Sequence, residues 1–239
     1  MLIANIATAY YSGSMSTAST KSTLGQIIGK VFTVLSPEWL KLLPDLFQFA
    51  RRWWRSRQPP GLYEILDYDV TLELLDPYGQ VAVIKKRQKV KFLQNNIIAF
   101  EDYAWGDGDI FAAYTCTPGV VTDSYKEGDR YNVLISLRET KNTGDVTDFY
   151  IERTVKYGFT QSEEALQTEI RHQTRRLKVT VIFPNERKCQ RMALLHRSHR
   201  QTNVLGPEHF TDLPDGRQQV VWETTHIKRF EIYTLKWTW

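Results

Sequence analysis

The chain has 239 residues, of which 42% are hydrophobic and 13% aromatic, with two cysteines, 31 basic and 27 acidic side chains and a net charge of +4. A chain of this length can bury a core without disulfide staples, and Cys116 and Cys189 belong to neither a CxxC nor a CxxH pair. These numbers exclude a disulfide-dense secreted scaffold and a zinc finger, and they favour a reducing, cytoplasmic setting.

The charge is unevenly distributed along the chain. Residues 1–60 carry 7 basic and 2 acidic side chains, residues 61–150 carry 9 and 15, and residues 151–239 carry 15 and 10. Such a division predicts a protein with a basic face and an acidic face, which bears on its partners rather than on its fold.

Residues 1–23 are mostly small and polar after the first few positions, and we expect them to form a flexible segment. The uncharged start lacks the basic region of a signal peptide, so we expect none. Lys30, Glu38, Lys41 and Asp45 interrupt the most hydrophobic region, which leaves no run of about 18 uncharged apolar residues. The sequence therefore predicts no transmembrane helix and at most a peripheral contact with a membrane.

Residues 24–58 have the spacing of an amphipathic helical segment. Apolar residues recur at helical intervals from Leu24 to Leu35, and Ser36 is a suitable N-cap for a second helix with proline at its first position. Pro44 predicts a kink, and the double proline before Gly61 ends the helix and marks a domain boundary.

The second helix has one narrow polar stripe and a wide apolar face with tryptophans and nearby arginines. Tryptophan suits the headgroup boundary of a membrane, and arginine reaches phosphates. The residues predicted to contact an anionic membrane surface or a protein partner are Trp39, Leu43, Phe47, Trp53, Trp54, Arg51, Arg52 and Arg55. The alternative is that the apolar face covers the domain that follows.

Residues 62–239 have strand periodicity. Alternating apolar runs occur at 70–74, 81–93, 131–137, 149–155, 177–183, 220–222 and 230–237, and turn residues such as Asp76-Pro77-Tyr78-Gly79 separate them. Only one helix is predicted here, near 161–172. This pattern predicts a mainly β fold, an antiparallel β-sandwich or barrel-like domain preceded by the helical segment.

The run from Lys85 to Lys91 is the densest basic stretch. Alternation places Lys85, Arg87, Lys89 and Lys91 on one face of a strand, as is typical of an exposed sheet edge. The alternative is an anion or nucleic-acid surface that includes Arg175 and Arg176, although no RNA- or DNA-binding module accompanies it.

Three further groups contain residue types that bind metal ions or take part in catalysis. Glu101, Asp102, Asp107 and Asp109 surround a glycine-containing turn in which carboxylate oxygens could bind a hard cation, without the spacing of an EF-hand loop. Cys189, His196 and His199 lack a fourth metal ligand. Glu139 and Lys141, with Asp123 or Asp129 upstream, have the composition of a metal-dependent nuclease site.

No phosphate-binding glycine loop or nucleophile elbow is present in the sequence, and we expect no cofactor, no metal and no catalytic residue. The leading hypothesis is a non-enzymatic binding or effector protein whose β domain presents or restrains the amphipathic helix for a membrane surface or protein partner. The alternatives are a β domain that binds nucleic acid or a nucleotide through strand 85–91 and residues 171–178, and a metal-dependent nuclease.

Overall fold

The computed structural model describes residues 61–196 and 201–239. The predicted segments 1–23 and 24–58 lie outside these residues, and no helix in the part that is described is long and apolar enough to cross a bilayer. In chain order the strands are β1 (Tyr63–Leu74), β2 (Val81–Phe92), β3 (Ile97–Ala104), β4 (Asp109–Thr117), β5 (Val120–Glu127), β6 (Arg130–Lys141), β7 (Val146–Lys156), β8 (Glu163–Glu169), β9 (Leu177–Phe183), β10 (Arg191–His196), β11 (Gln201–Val204), β12 (Phe210–Asp212), β13 (Gln218–Thr224) and β14 (Ile232–Thr238). A short 3-10 turn covers Pro207–His209.

These strands form three sheets. The largest has seven strands in the order β12-β13-β9-β1-β2-β7-β4, the second has the order β11-β10-β14-β8, and the third has the order β3-β6-β5. The prediction of a mainly β domain with antiparallel sheets is confirmed. One pair departs from it, because β1 and β9 run parallel from Tyr68 beside Leu177.

The long β1–β2 hairpin follows from local sequence. The side chain of Asp76 accepts hydrogen bonds from the backbone N–H groups of Tyr78 and Val81, at 2.8 and 2.7 Å, which closes the predicted turn. Gly79 has a φ of +67°, a conformation that residues with a Cβ rarely adopt. The hairpin places two twelve-residue strands in the middle of the largest sheet.

Inward-facing residues of all three sheets form one continuous hydrophobic core. In its centre Phe100 of β3 stacks on Phe149 of β7, with ring centroids 4.0 Å apart. Aromatic contacts between two strands contribute to stability beyond the area that they bury. The core therefore fixes the position of β3 against the seven-stranded sheet.

Two predictions from the sequence are wrong. The helix near 161–172 is absent, and residues 163–169 form β8, in which Leu166 and Thr168 are buried while their neighbours are more exposed. The hydrogen bonds between β8 and β14 outweigh the local preference of these residues for a helix. The basic strand is not a sheet edge, because β2 lies between β1 and β7.

Candidate functional site

Lys85 and Lys86 are neighbours on β2 that point to opposite faces of the seven-stranded sheet. The side chain of Lys85 is 49% exposed on the outer face, whereas that of Lys86 is 8% exposed on the inner face. Because side chains alternate along a strand, a run of consecutive basic residues must place some of them inside.

On the outer face, the residues predicted to contact an anion are interleaved with carboxylates. Strand β2 lies between β1 and β7, both of which carry acidic residues on this face. The contacts are Lys85 with Glu73 at 3.0 Å, Arg87 with Asp148 at 3.0 Å and with Asp69 at 3.4 Å, Lys91 with Glu64 at 3.9 Å, Arg175 with Glu64 at 2.9 Å, and Arg176 with Asp67, Asp69 and Glu223 at 3.1, 3.0 and 2.6 Å. Lys89 lies between Asp67 and Asp148 in the strand register. The structure thus brings the six cations together as a mixed-charge surface.

The other predicted contact surface lies outside the described residues. It comprises Trp39, Leu43, Phe47, Arg51, Arg52, Trp53, Trp54 and Arg55. Its role in contacting a membrane or partner stays a prediction.

On the inner side, Lys86 forms a buried hydrogen-bonded group with Asp102 and Tyr114. Lys86 Nζ donates to Asp102 Oδ1 at 2.7 Å and to the backbone oxygen of Tyr103 at 2.8 Å, and the Tyr114 hydroxyl donates to Asp102 Oδ2 at 3.1 Å. Burial lowers the pKa of Lys86 and raises that of Tyr114, and the nearby Asp102 carboxylate raises both. Asp102 is therefore the counter-charge of this cluster.

Arg153 of β7 is a second buried cation, and it has no such counter-charge in contact. The residue is 6% exposed, its guanidinium donates to the backbone oxygen of Ile110 at 3.2 Å, and its Nε has no hydrogen-bond partner. Among the described residues no carboxylate lies within 4.0 Å of it. Burial lowers the pKa of Arg153, and Asp102 partly opposes this effect. Two cations thus face one carboxylate in the interior.

Lys86 and Arg153 line a cleft with a volume of about 690 Å³. Its floor is the inner face of β1, β2 and β7, and its walls are the end of β3, the end of the β5–β6 hairpin and strand β8. A cleft of this size is in the range of small-molecule sites, and its lining combines many polar and charged groups with apolar ones. The apolar part of this lining includes Val70, Ile84, Ile110, Val155 and Leu166.

A tight loop after β3 forms one side of the opening. Gly108 has a φ of +72°, and a Cβ there would overlap the backbone oxygen of Lys156. Glycine is therefore required for the loop to pack against the end of β7. This packing holds Trp105 and Asp107 in the wall of the cleft.

Stacked aromatic and guanidinium groups form the next part of the wall. The rings of Tyr103 and Trp105 are nearly parallel with centroids 5.9 Å apart, and Arg130 lies 5.5 and 5.3 Å from them. The Tyr103 hydroxyl donates to the backbone oxygen of Glu169, whose carboxylate contacts Arg130 at 2.6 Å and Arg171 at 3.5 Å. These contacts join β3, β6 and β8 on one side of the cleft.

The exposed rim of the cleft has an excess of acidic groups. Glu163 contacts Lys236 at 2.6 Å, but within the described residues Asp107, Asp129 and Glu164 have no basic group within 4.0 Å. Burial and the neighbouring Asp107 raise the pKa of Glu164. The cleft is thus positive at its floor and negative at its rim.

The components of the predicted nuclease site are far apart. Asp129 lies at one end of β6 and Glu139 near the other, so a rise of about 3.3 Å per residue separates them by roughly 30 Å. Asp123 pairs with Leu134, five positions before Glu139. Lys141 instead contacts Glu139 at 2.6 Å. These residues do not share one metal-sized site.

The predicted cysteine and histidine group is also not assembled as a metal site. His196 packs beside Tyr233, Cys189 is buried with its pKa raised by burial to about 11, and His199 lies outside the described residues. No group of three or more His, Cys, Asp or Glu side chains that could hold a metal occurs in the part of the chain described. Asp107 belongs instead to the rim of the cleft.

The sequence contained a signal for the inner cations that the sequence-based prediction did not use. Once Lys85, Arg87, Lys89 and Lys91 are assigned to one face, Lys86 must lie on the other. Arg153 occupies the position between Ile151 and Val155 in an otherwise apolar alternation. A cation in the buried register of a strand is the pattern that identifies such a site.

Comparison with known proteins indicates only a distant likeness. No protein-family model matches the sequence, and no curated protein matches it. Among solved structures, an M1 zinc metallopeptidase from Deinococcus radiodurans aligns with a TM-score of 0.45 and 8% identity over 74% of this chain and 42% of that chain. Aminopeptidase A of Legionella pneumophila aligns with a TM-score of 0.43 and 16% identity over 77% of this chain and 22% of that chain. This chain spans less than half the length of each, and so distant a likeness carries no argument about function.

Proposed function

We propose that this protein is a non-enzymatic binding protein and that its β domain, a sandwich of the three sheets, binds a ligand in the cleft lined by Lys86 and Arg153. The observation that carries the proposal is the buried Arg153 guanidinium beside a cleft of about 690 Å³, without a carboxylate in contact. A buried charge without a counter-charge in contact is unfavourable, and a ligand that completes the contacts of Arg153 would explain its retention.

Chemical-shift mapping on the full chain tests this proposal. A library of small fragments is added to isotope-labelled protein, and the expected shifts concentrate on the cleft, with the indole N–H of Trp105 as a reporter at its wall. The variant Ala165→Trp places a large ring in the lining and should abolish those shifts. Absence of any cleft-specific shift, or shifts that persist in Ala165→Trp, would contradict the proposal.

A second proposal concerns the segment 24–58, and the amphipathic pattern of the sequence supports it. We propose that the apolar face with Trp53 and Trp54 contacts an anionic membrane surface on the cytoplasmic side, with the β domain presenting or restraining it. The full chain should sediment with phosphatidylserine vesicles, and Trp53→Ser plus Trp54→Ser should reduce the bound fraction several-fold. Trp105→Ser is the control that removes a tryptophan from the β domain. Equal sedimentation of both variants would refute this proposal and leave a protein partner, or the β domain of the same chain, as the occupant of that face.

Nucleic-acid binding by the outer face is a third proposal, supported by the proximity of Arg87 and Arg176, which share Asp69. The interleaved carboxylates weaken it, because they already neutralise those cations. If the face binds phosphates, affinity for an oligonucleotide falls steeply with salt, and Arg176→Met lowers the salt slope by about 1. A flat salt response in fluorescence anisotropy would exclude it.

A further inference from the structure

Arg153 identifies the chemical class of ligand that the cleft would take. We propose that the cleft binds a small organic monocarboxylate, whose carboxylate contacts the Arg153 guanidinium while its apolar part fills the space toward the rim. This inference rests on the proposed function, because it names the ligand class of the same cleft.

The buried position of Arg153 supports an anion. Its guanidinium uses one recorded hydrogen bond, to the oxygen of Ile110, and Nε has no partner. A guanidinium presents a planar set of N–H donors that matches the two oxygens of a carboxylate. The nearest buried carboxylate, Asp102, is occupied by Lys86 and Tyr114. Arg153 also lines the cleft, so the guanidinium N–H donors that face the cleft are available to a ligand.

The charge of the surroundings supports a single negative charge. Asp102, which is not part of the lining, offsets the charge of Lys86 and leaves that of Arg153 to be matched. At the rim, Asp107, Asp129 and Glu164 outnumber Lys126, so the net charge there would repel a second negative charge on the ligand. A doubly charged phosphate monoester is disfavoured on both counts.

The apolar and aromatic part of the lining can receive the remainder of the ligand. Ile84, Val155 and Leu166 line the cleft together with the rings of Tyr103, Trp105 and Tyr131. Flat rings and aliphatic side chains favour a ligand body that can stack and be desolvated. A carboxylate joined to a phenyl ring through a short linker matches these features.

The test uses four probes that differ mainly in charge: 3-phenylpropanoate, the neutral 3-phenylpropanamide, the cationic 3-phenylpropylamine and the dianionic 2-phenylethyl phosphate. Binding to the full chain is measured by NMR titration at pH 7.5. We expect 3-phenylpropanoate to bind about 10- to 100-fold more tightly than the amide, because a charge-assisted hydrogen bond is lost in the latter. The phosphate and the amine should bind at least tenfold more weakly than the carboxylate.

Variants assign the effect to Arg153. Arg153→Met should bring the affinity for 3-phenylpropanoate down to that of the amide, and Arg153→Lys should retain part of it, since the charge stays but the planar donors are lost. Arg217→Met, which removes an arginine outside the cleft lining and outside the predicted anion surface, is the matched control and should leave binding unchanged. If Arg153→Met fails to fold, Arg153→Lys and the four probes test whether the Arg153 guanidinium contacts the carboxylate.

Failure of this inference is distinguishable from failure of the proposed function. Equal binding of the amide and the carboxylate, or tighter binding of the phosphate, would overturn the monocarboxylate and leave a ligand cleft in place. Binding of the carboxylate that is unaffected by Arg153→Met would overturn the role of Arg153. If no probe and no fragment perturbs the cleft, both proposals fall.

Discussion

Charged side chains on the two faces of the seven-stranded sheet differ in their exposure and in their counter-charges. On the outer face, Arg87 is half-exposed between the carboxylates of Asp69 and Asp148, so both water and these carboxylates stabilise its charge. On the inner face, Lys86 depends on Asp102 alone for its counter-charge, and Arg153 has no carboxylate in contact. An exposed ion pair contributes little and can be replaced, whereas a buried charge must be matched or it destabilises the fold. The inner face is therefore where a charged residue requires a specific explanation.

The largest expected effect breaks the inner cluster. Asp102→Ala removes the acceptor of Lys86 and Tyr114 and leaves two buried cations without a counter-charge, so the free energy of unfolding should fall by about 3–5 kcal/mol. Urea denaturation measures it. The control Asp148→Ala removes an outer carboxylate and should cost less than about 1 kcal/mol. Similar losses for both variants would contradict the distinction between the faces.

A pH titration extends the comparison of buried and exposed charges to a histidine. His172 packs on the buried Tyr63, with ring centroids 4.1 Å apart. Burial lowers the pKa of His172 to about 4, with Arg229 and Arg171 adding to the effect. The unfolded chain therefore binds a proton between pH 6.5 and 4 that the folded chain does not, and stability falls as the pH falls through this window.

The variant His172→Phe should remove this part of the pH dependence, which is at most about 3 kcal/mol. The measurement is the free energy of unfolding of both proteins from pH 7 to pH 4, and the difference between them excludes the carboxylates that also titrate there. The exposed His226→Phe is the control. A constant difference across the window would show that His172 does not resist protonation.

Arg153→Met tests whether the inner cation is kept for a reason other than stability. Methionine fills a similar volume without a charge, so the free energy of unfolding should be unchanged or rise by about 1–2 kcal/mol. Thermal and urea unfolding without ligand measure it. A loss of more than about 2 kcal/mol would mean that Arg153 supports the fold and would weaken its assignment to a ligand.

The smallest expected effect is on the outer face. Arg87→Met should change the free energy of unfolding by less than about 1 kcal/mol, and the change should shrink in 1 M salt because exposed charges are screened. The effect of Asp102→Ala should persist in the same salt, since its partners are buried. The measurement is urea denaturation of the two variants at low and high salt, which compares the changes in the free energy of unfolding directly.

Much of the β domain was predictable from the sequence, and part of the cleft was not. The alternation at 81–93 and 177–183 predicts β2 and β9 because a half-buried strand needs a period of two. The alternation also implies that Lys86 and Arg153 point inward. It does not bring Asp102 of β3 to Lys86, because that contact depends on how a separate sheet packs on the first.

The cleft itself depends on strands that local patterns did not reveal. Strand β8 has the residues of a helix or loop and becomes a strand only beside β14, and β5 is exposed along its whole length. Both form walls of the cleft. Their conformation is decided by hydrogen bonds to distant partners, which single-sequence patterns do not contain.

The sequence by itself determined the class of this fold, the positions of its long central strands and turns, and the inward direction of two basic residues, because alternation and turn chemistry are local properties. Only the tertiary structure decided that the outer cations are interleaved with carboxylates, that Asp102 neutralises Lys86, and that Arg153 lines a cleft without a counter-charge in contact. Those features arise where distant strands meet, and the energy of a charge depends on what surrounds it in space.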